Sequence, residues 1–158
     1  MSEKWDKHFL GLASYHSKIS KDPSTRVGAV IVKDKEVLSL GFNGFPTGIA
    51  DTNERLNDRE LKYSLVVHGE MNAILLAARH GVRLEGTTLY VVATDVVTGS
   101  MWGGPPCSRC TVEVIQAGIK KIVSLRIDMA NERWGKSMEK SLALLKEAGI
   151  EYVEYEGL

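Results

Sequence analysis

His68-Gly69-Glu70-Met71-Asn72-Ala73-Ile74-Leu75-Leu76-Ala77-Ala78 (68–78) is the stretch whose reading decides the fold. Met71, Ile74, Leu75 and Ala78 recur at helical spacing and Gly81 supplies a stop, so the run predicts a helix. It is apolar nearly all round, the pattern of a helix buried in a core. His68 and Glu70 then stand at the N-terminal mouth of a core element. Pro106-Cys107-Ser108-Arg109-Cys110 repeats the layout: Pro105 and Pro106 lead into a helical run from Cys107 to Gln116, and Gly118 closes it. Two helix N-termini can therefore converge on one point.

That convergence has a chemical use. The positive end of a helix dipole lowers a cysteine pKa, and a thiol must be deprotonated to bind metal. His68, Cys107 and Cys110 offer three ligands, and the chain holds no third cysteine. Three protein ligands leave the fourth tetrahedral position of zinc open to water, the mark of a catalytic site. Zinc lowers the pKa of such a water to about 7, and Glu70 is placed to move the protons. Two competing readings exist: small buried cysteines beside a chance His-x-Glu, or a redox C-x-x-C. The first leaves the order and the paired helix starts unexplained, and the second has no use for His68 and Glu70.

Outward from these motifs, Trp5, Phe9, Leu12 and His16 share one face of a helix over residues 3–19. His8 and His16 are read as packed or rim residues without a metal role. Val27 to Val32 and Val37 to Phe42, joined by Lys33-Asp34-Lys35-Glu36, predict a β-hairpin. Gly41-Phe42-Asn43-Gly44-Phe45-Pro46-Thr47-Gly48 follows as a loop able to approach a ligand closely or to act as an ordinary turn. Residues 49–65 read as a polar surface excursion with a short helix. Its charges form a solvated face or, through Arg55, Arg59 and Lys62, attract phosphate. Thr88 to Ala93 predicts a central strand, and Asp95 to Gly104 a loop in which Trp102 either covers a site, stacks on a base, or simply packs. Lys121 to Arg126 predicts a strand, Trp134 to Ala148 a helix, and Ile150 to Tyr155 a last strand. This order predicts an α/β chain with a mixed sheet covered by helices on both faces.

The chain of 158 residues, 44% hydrophobic, fits one domain over residues 1–158, with no linker, repeat or low-complexity tract. Twenty basic residues balance twenty acidic ones, which disfavours a polynucleotide partner while admitting a small anionic one. The N-terminus does not read as a signal peptide, and no run approaches the length of a membrane span. With two thiols poised for metal, the expected location is cytoplasmic.

The chain resembles the deoxycytidylate deaminases, a branch of the cytidine deaminase superfamily. The resemblance is carried by Lys21-Asp22-Pro23-Ser24-Thr25-Arg26-Val27-Gly28-Ala29-Val30, Gly41-Phe42-Asn43-Gly44-Phe45-Pro46, His68-Gly69-Glu70-Met71-Asn72-Ala73-Ile74 and Cys107 to Gly118. H-x-E with P-C-x-x-C is the signature of zinc nucleobase deaminases. The Asp22-Pro23-Ser24 and Phe42-Asn43-Gly44 segments favour the nucleotide branch over tRNA, free-base or antibiotic deaminases.

The resemblance implies a three-layer α/β/α cytidine deaminase-like fold around a mixed five-stranded sheet, and a homo-oligomer, hexameric in many members. It implies zinc-dependent deamination of dCMP to dUMP and ammonia, with zinc-bound hydroxide attacking C4 and Glu70 shuttling protons. By position, His68, Cys107 and Cys110 correspond to the Zn2+ ligands, Asn43 to a sugar contact, the Gly69 amide to a contact with the base carbonyl, and Arg26 to a phosphate or sugar contact. Many members respond to dCTP and dTTP as effectors with Mg2+. The family usually has alanine where this chain has Gly69, and its link into Pro-Cys is shorter than Asp95 to Gly104. The longer loop keeps open another pyrimidine, such as cytidine, dCTP or a 5-modified dCMP. A non-catalytic nucleotide-binding relative is the remaining alternative, and Glu70 counts against it.

Overall fold

The computed structural model describes residues 1–126 and 135–158. Its elements are α1 (Glu3–Ser17), β1 (Thr25–Lys33), β2 (Glu36–Phe42), α2 (Asn53–Asn57), α3 (Arg59–Leu65), α4 (Gly69–Arg79), β3 (Thr88–Asp95), β4 (Met101–Trp102), α5 (Ser108–Gln116), β5 (Lys121–Leu125), α6 (Gly135–Glu147) and β6 (Glu151–Tyr155). The expected last helix is present from Gly135, while Trp134, placed at its start by the sequence pattern, lies outside the described residues. The polar excursion holds two short helices instead of one, capped by the side chains of Thr52 and Asp58.

Five strands run in the order β2-β1-β3-β5-β6, and the two-residue β4 adds a sixth off this path. β1 is antiparallel to β2 and β3, whereas β3, β5 and β6 are parallel, so the sheet is mixed as expected. Asp34 and Lys35 turn the first hairpin with positive φ. β5 leaves β3 after Val91, and β4 takes the same edge further on, with Trp102 opposite Ala93.

Alternation along the strands sorts side chains into two cores. Ala29, Ile31, Leu89 and Val91 pack with Ala73 and Ala77 of α4, Val114 of α5 and Leu145 of α6. Val30, Val32, Tyr90 and Val92 pack on the other face with Phe9, Leu10 and Ala13 of α1. The buried line of α1 is Asp6, Phe9, Leu10, Ala13 and Ser17, offset from the Trp5, Leu12 and His16 face. Asp6 is tolerated inside because Tyr90 donates to its Oδ1 at 2.7 Å and Tyr155 to its Oδ2 at 3.0 Å.

The helix that opened the sequence reading is where expected, but it is turned. Gly69, Glu70, Ala73 and Ala77 are its buried residues, while Leu75 is 51% exposed and Ala78 faces solvent. The reason lies in β2. A Cβ on Gly41 would stand 2.2 Å from the Gly69 carbonyl oxygen and 2.4 Å from the Ala73 nitrogen, so strand and helix backbones touch and only small residues fit between them. Ser39 donates to the Ala73 carbonyl at 2.7 Å, and the Asn72 amide donates to the Phe42 carbonyl at 2.9 Å, fixing the same contact. Gly41→Ala is expected to destabilise the protein by about 3 kcal/mol and to lower Tm by roughly 10 °C, because backbone must move. Calorimetric melting of the variant checks this; an unchanged Tm would show that α4 can back away freely.

Candidate active site

His68 and Cys107 are the N-cap residues of α4 and α5. Each carbonyl accepts the first bond of its helix, from Asn72 N at 2.8 Å and from Thr111 N at 2.9 Å. Gly103 and Gly104 make this placement possible for α5. A Cβ on Gly103 would lie 2.1 Å from Ser124 Oγ, and the Gly104 amide donates to that oxygen at 2.7 Å, so the chain is drawn tightly under the end of β5 before Pro105.

The ligand atoms of His68, Cys107 and Cys110 lie within 4.8 Å of one another. Cys107 Sγ and Cys110 Sγ stand 3.4 Å and 3.3 Å from His68 Nδ1. Tetrahedral bonds of zinc length to nitrogen and sulfur place those atoms about 3.6 Å apart, so the donor set and its spacing both fit zinc. The thiols share their protons unequally. A bond from Cys110, assisted by His68, pulls the Cys107 thiol down to about 4. The same bond, with burial, pushes the Cys110 thiol up. The bond with Cys107 raises His68 against the opposing effect of its burial.

Glu70, only 6% exposed, is the second residue of α4, in its first turn and close to these groups. Burial raises its carboxyl pKa, and His68 opposes that shift. A carboxyl raised in this way is suited to hold a proton as well as to release one.

His68, Glu70 and Cys107 border a cavity of about 180 Å³. His68, Gly69, Glu70 and Cys107 line it, with Val27, Val91 and Ala93 from the sheet. Asn43 also lines it, though its side chain already serves the sheet: Oδ1 accepts from Val27 N at 2.7 Å and Nδ2 donates to the Thr25 carbonyl at 2.9 Å. One amide proton and one lone pair are left for another partner. Gly69 brings a first-turn amide, which has no acceptor within its helix. A methyl at Gly69 would come within 3.2 Å of Val27 Cγ1 and of the Val27 carbonyl, so glycine relieves crowding here besides its cost in helix propensity.

Arg26 is not brought to the cavity. Thr25 and Val27 line it, and alternation sends Arg26 to the other face of β1. The Nε of Arg26 is buried without a hydrogen-bond partner among the described residues. Trp102 does line the cavity, carried there by β4, as does Met138 of α6. Met138 was readable only as one apolar position of a helix, since no local signal ties α6 to the cysteine loop. Among the described residues, Lys62 is the one lysine or arginine in the lining, with Asp22 beside it.

Residues 3–126 match the family described as the cytidine and deoxycytidylate deaminase zinc-binding region. An uncharacterized deaminase from the luxG 3′ region of Aliivibrio fischeri is 38% identical over 152 residues, covering 96% of this chain and 93% of that protein. The deoxycytidylate deaminase of Mus musculus is 29% identical over 160 residues, covering 96% and 80%. The crystal structure of the dCMP deaminase of cyanophage S-TIM5, in complex with dCMP and dUMP, superposes with a TM-score of 0.73 at 21% identity, covering 98% of this chain and 99% of that one. That last likeness establishes the shared fold. Among the described residues, no helix is long and apolar enough to cross a membrane.

Proposed function

The chain belongs to the cytidine and deoxycytidylate deaminase family and is a zinc-dependent deaminase, and we propose that its reaction is the hydrolysis of dCMP to dUMP and ammonia. The observation that carries this reading is the cluster of His68, Cys107 and Cys110, with His68, Cys107 and buried Glu70 lining one cavity. The deoxycytidylate deaminases among its relatives support the choice of nucleotide.

His68, Cys107 and Cys110 would hold zinc, which when bound would supply an acidified water at neutral pH. Glu70 would carry a proton from the attacking water to N3 of the cytosine as C4 is attacked. It would then take the remaining proton of the hydroxyl added at C4 and pass it to the amino group; the C4–N bond breaks as the C4 carbonyl forms, and ammonia departs. The Gly69 amide would bond the base carbonyl, and Asn43 can offer its remaining proton and lone pair to the sugar. Val27, Val91 and Ala93 close the reacting end against bulk water.

Ammonia release from dCMP, dCTP, deoxycytidine and CMP, each with and without dCTP or dTTP as effector, tests the proposal. The expected result is turnover of dCMP at least about tenfold faster than any other substrate in kcat/KM, a margin of about 1.4 kcal/mol. Faster turnover of another pyrimidine would overturn dCMP as the substrate. Trp102 in the cavity wall is the feature that would then be re-examined.

A further inference from the structure

α3 is turned inside out for a surface helix. None of its residues is fully buried; Leu61 and Tyr63 are 37% and 47% exposed, while the side chain of Lys62 between them is only 12% exposed. Lysine ordinarily lays its stem on the protein and keeps its ammonium in water. Here the charge faces inward, into the cavity that holds His68 and Glu70.

Asp22 receives it, with Oδ2 at 3.1 Å and Oδ1 at 3.4 Å. The carboxylate is itself held in place, since Oδ1 accepts from the backbone of Ser24 at 2.8 Å and of Thr25 at 3.0 Å. A buried ion pair roughly breaks even against apolar residues of the same shape, so stability alone does not account for this one. An ammonium has three donors and the carboxylate takes at most two, leaving at least one for a ligand. The neighbouring cations do not share the position. Arg55 donates to the Ala50 carbonyl at 3.1 Å, and Arg59 lies over the Tyr63 ring at 5.5 Å.

We propose that Lys62, braced by Asp22 and flanked by Ser24 and Thr25, receives the 5′-phosphate of the substrate and makes the site select nucleoside monophosphates over nucleosides. The proposal rests on the deamination reading above. It assigns the two ends of the cavity: the base at Glu70, the phosphate at Lys62. The Asp22–Lys62 pair and Val66 also border a second cavity of about 190 Å³, so the pair forms part of the wall at the phosphate end.

The test compares binding of dUMP and deoxyuridine by titration calorimetry to zinc-loaded wild type, Lys62→Met and Lys62→Arg. Lys62→Met is expected to weaken dUMP on the order of 10- to 100-fold, the worth of a charge-assisted bond, with deoxyuridine affinity kept; Lys62→Arg restores most of the loss. In turnover, the defect of Lys62→Met with dCMP lies in KM, and the dCMP-to-deoxycytidine ratio of kcat/KM falls by the same factor. Lys62→Met strands the Asp22 charge, so Asp22→Asn/Lys62→Met repeats the comparison without it. Equal weakening of dUMP and deoxyuridine in both variants, or unchanged dUMP affinity, overturns the proposal. Lys62-dependent dUMP binding by a protein that releases no ammonia from dCMP sinks the dCMP reading alone. Turnover of dCMP indifferent to Lys62 sinks this inference alone.

Discussion

Glu70→Gln is expected to lower kcat for ammonia release from dCMP by about 10³-fold, or about 4 kcal/mol in the barrier, while zinc stays bound at one ion per chain. Glutamine keeps the volume of the side chain and its packing but cannot carry a proton between water, N3 and the leaving amino group. The change is gentle on the fold. Glu70 is buried and its carboxyl is already pushed toward the neutral form, so a neutral amide adds no desolvation cost. Elemental analysis, steady-state kinetics and melting of the same preparation check all three statements. Wild-type turnover in that variant would remove Glu70 from the chemistry and revive the reading of a nucleotide-binding relative.

Cys110→Ser is expected to abolish both metal and activity. Cys110 is 2% exposed and supplies one of the three donor atoms that meet at His68 Nδ1. A serine hydroxyl is a far poorer zinc ligand than a thiolate, and two remaining donors do not define a tetrahedral site. The expected zinc content after dialysis against chelator is below 0.1 per chain, about a tenfold loss at minimum, with turnover reduced beyond about 10³-fold. Chelation of the wild type gives the same loss of activity, and added zinc restores it there but not in the variant. Retention of full zinc and full activity by Cys110→Ser would mean that the metal is held elsewhere. The two variants together separate metal from proton transfer: one keeps the ion and loses the reaction, the other loses both.

The reacting centre was readable in the chain because each of its parts is local. H-x-E and C-x-x-C place their ligands within a turn of a helix start, and prolines and glycines mark those starts and ends. The same holds for the hairpin, whose apolar runs and four-residue connection are visible as neighbours, and for the alternation of strands and helices that implies a mixed sheet. The resemblance to known deaminases supplied what periodicity does not, namely the arrangement in layers and the nature of the reaction.

Facing was harder, because it depends on what lies across the gap. Met71, Ile74, Leu75 and Ala78 have the spacing of a buried stripe, yet the close approach of Gly41 selects Ala73 and Ala77 for the interior, and of the stripe Ile74 packs against that core half-buried. Arg26 stands within a matching motif, and its alternation on β1 still carries it away from the cavity. Lys62 reads as a surface charge until Asp22, far off in sequence, is seen to draw it inward.

From its order of residues alone this chain determined most of its elements and put forward His68, Cys107, Cys110 and Glu70 as candidate site residues, since dihedral preference, capping and ligand spacing act over a few residues. Tertiary packing alone decided which face of each element meets the cavity, that Lys62 is a charge in its lining, and that Met138 and Trp102 line it too. Those outcomes are set by steric fit and Coulomb pairing between segments distant in sequence, and such forces leave no periodic trace in either segment taken singly.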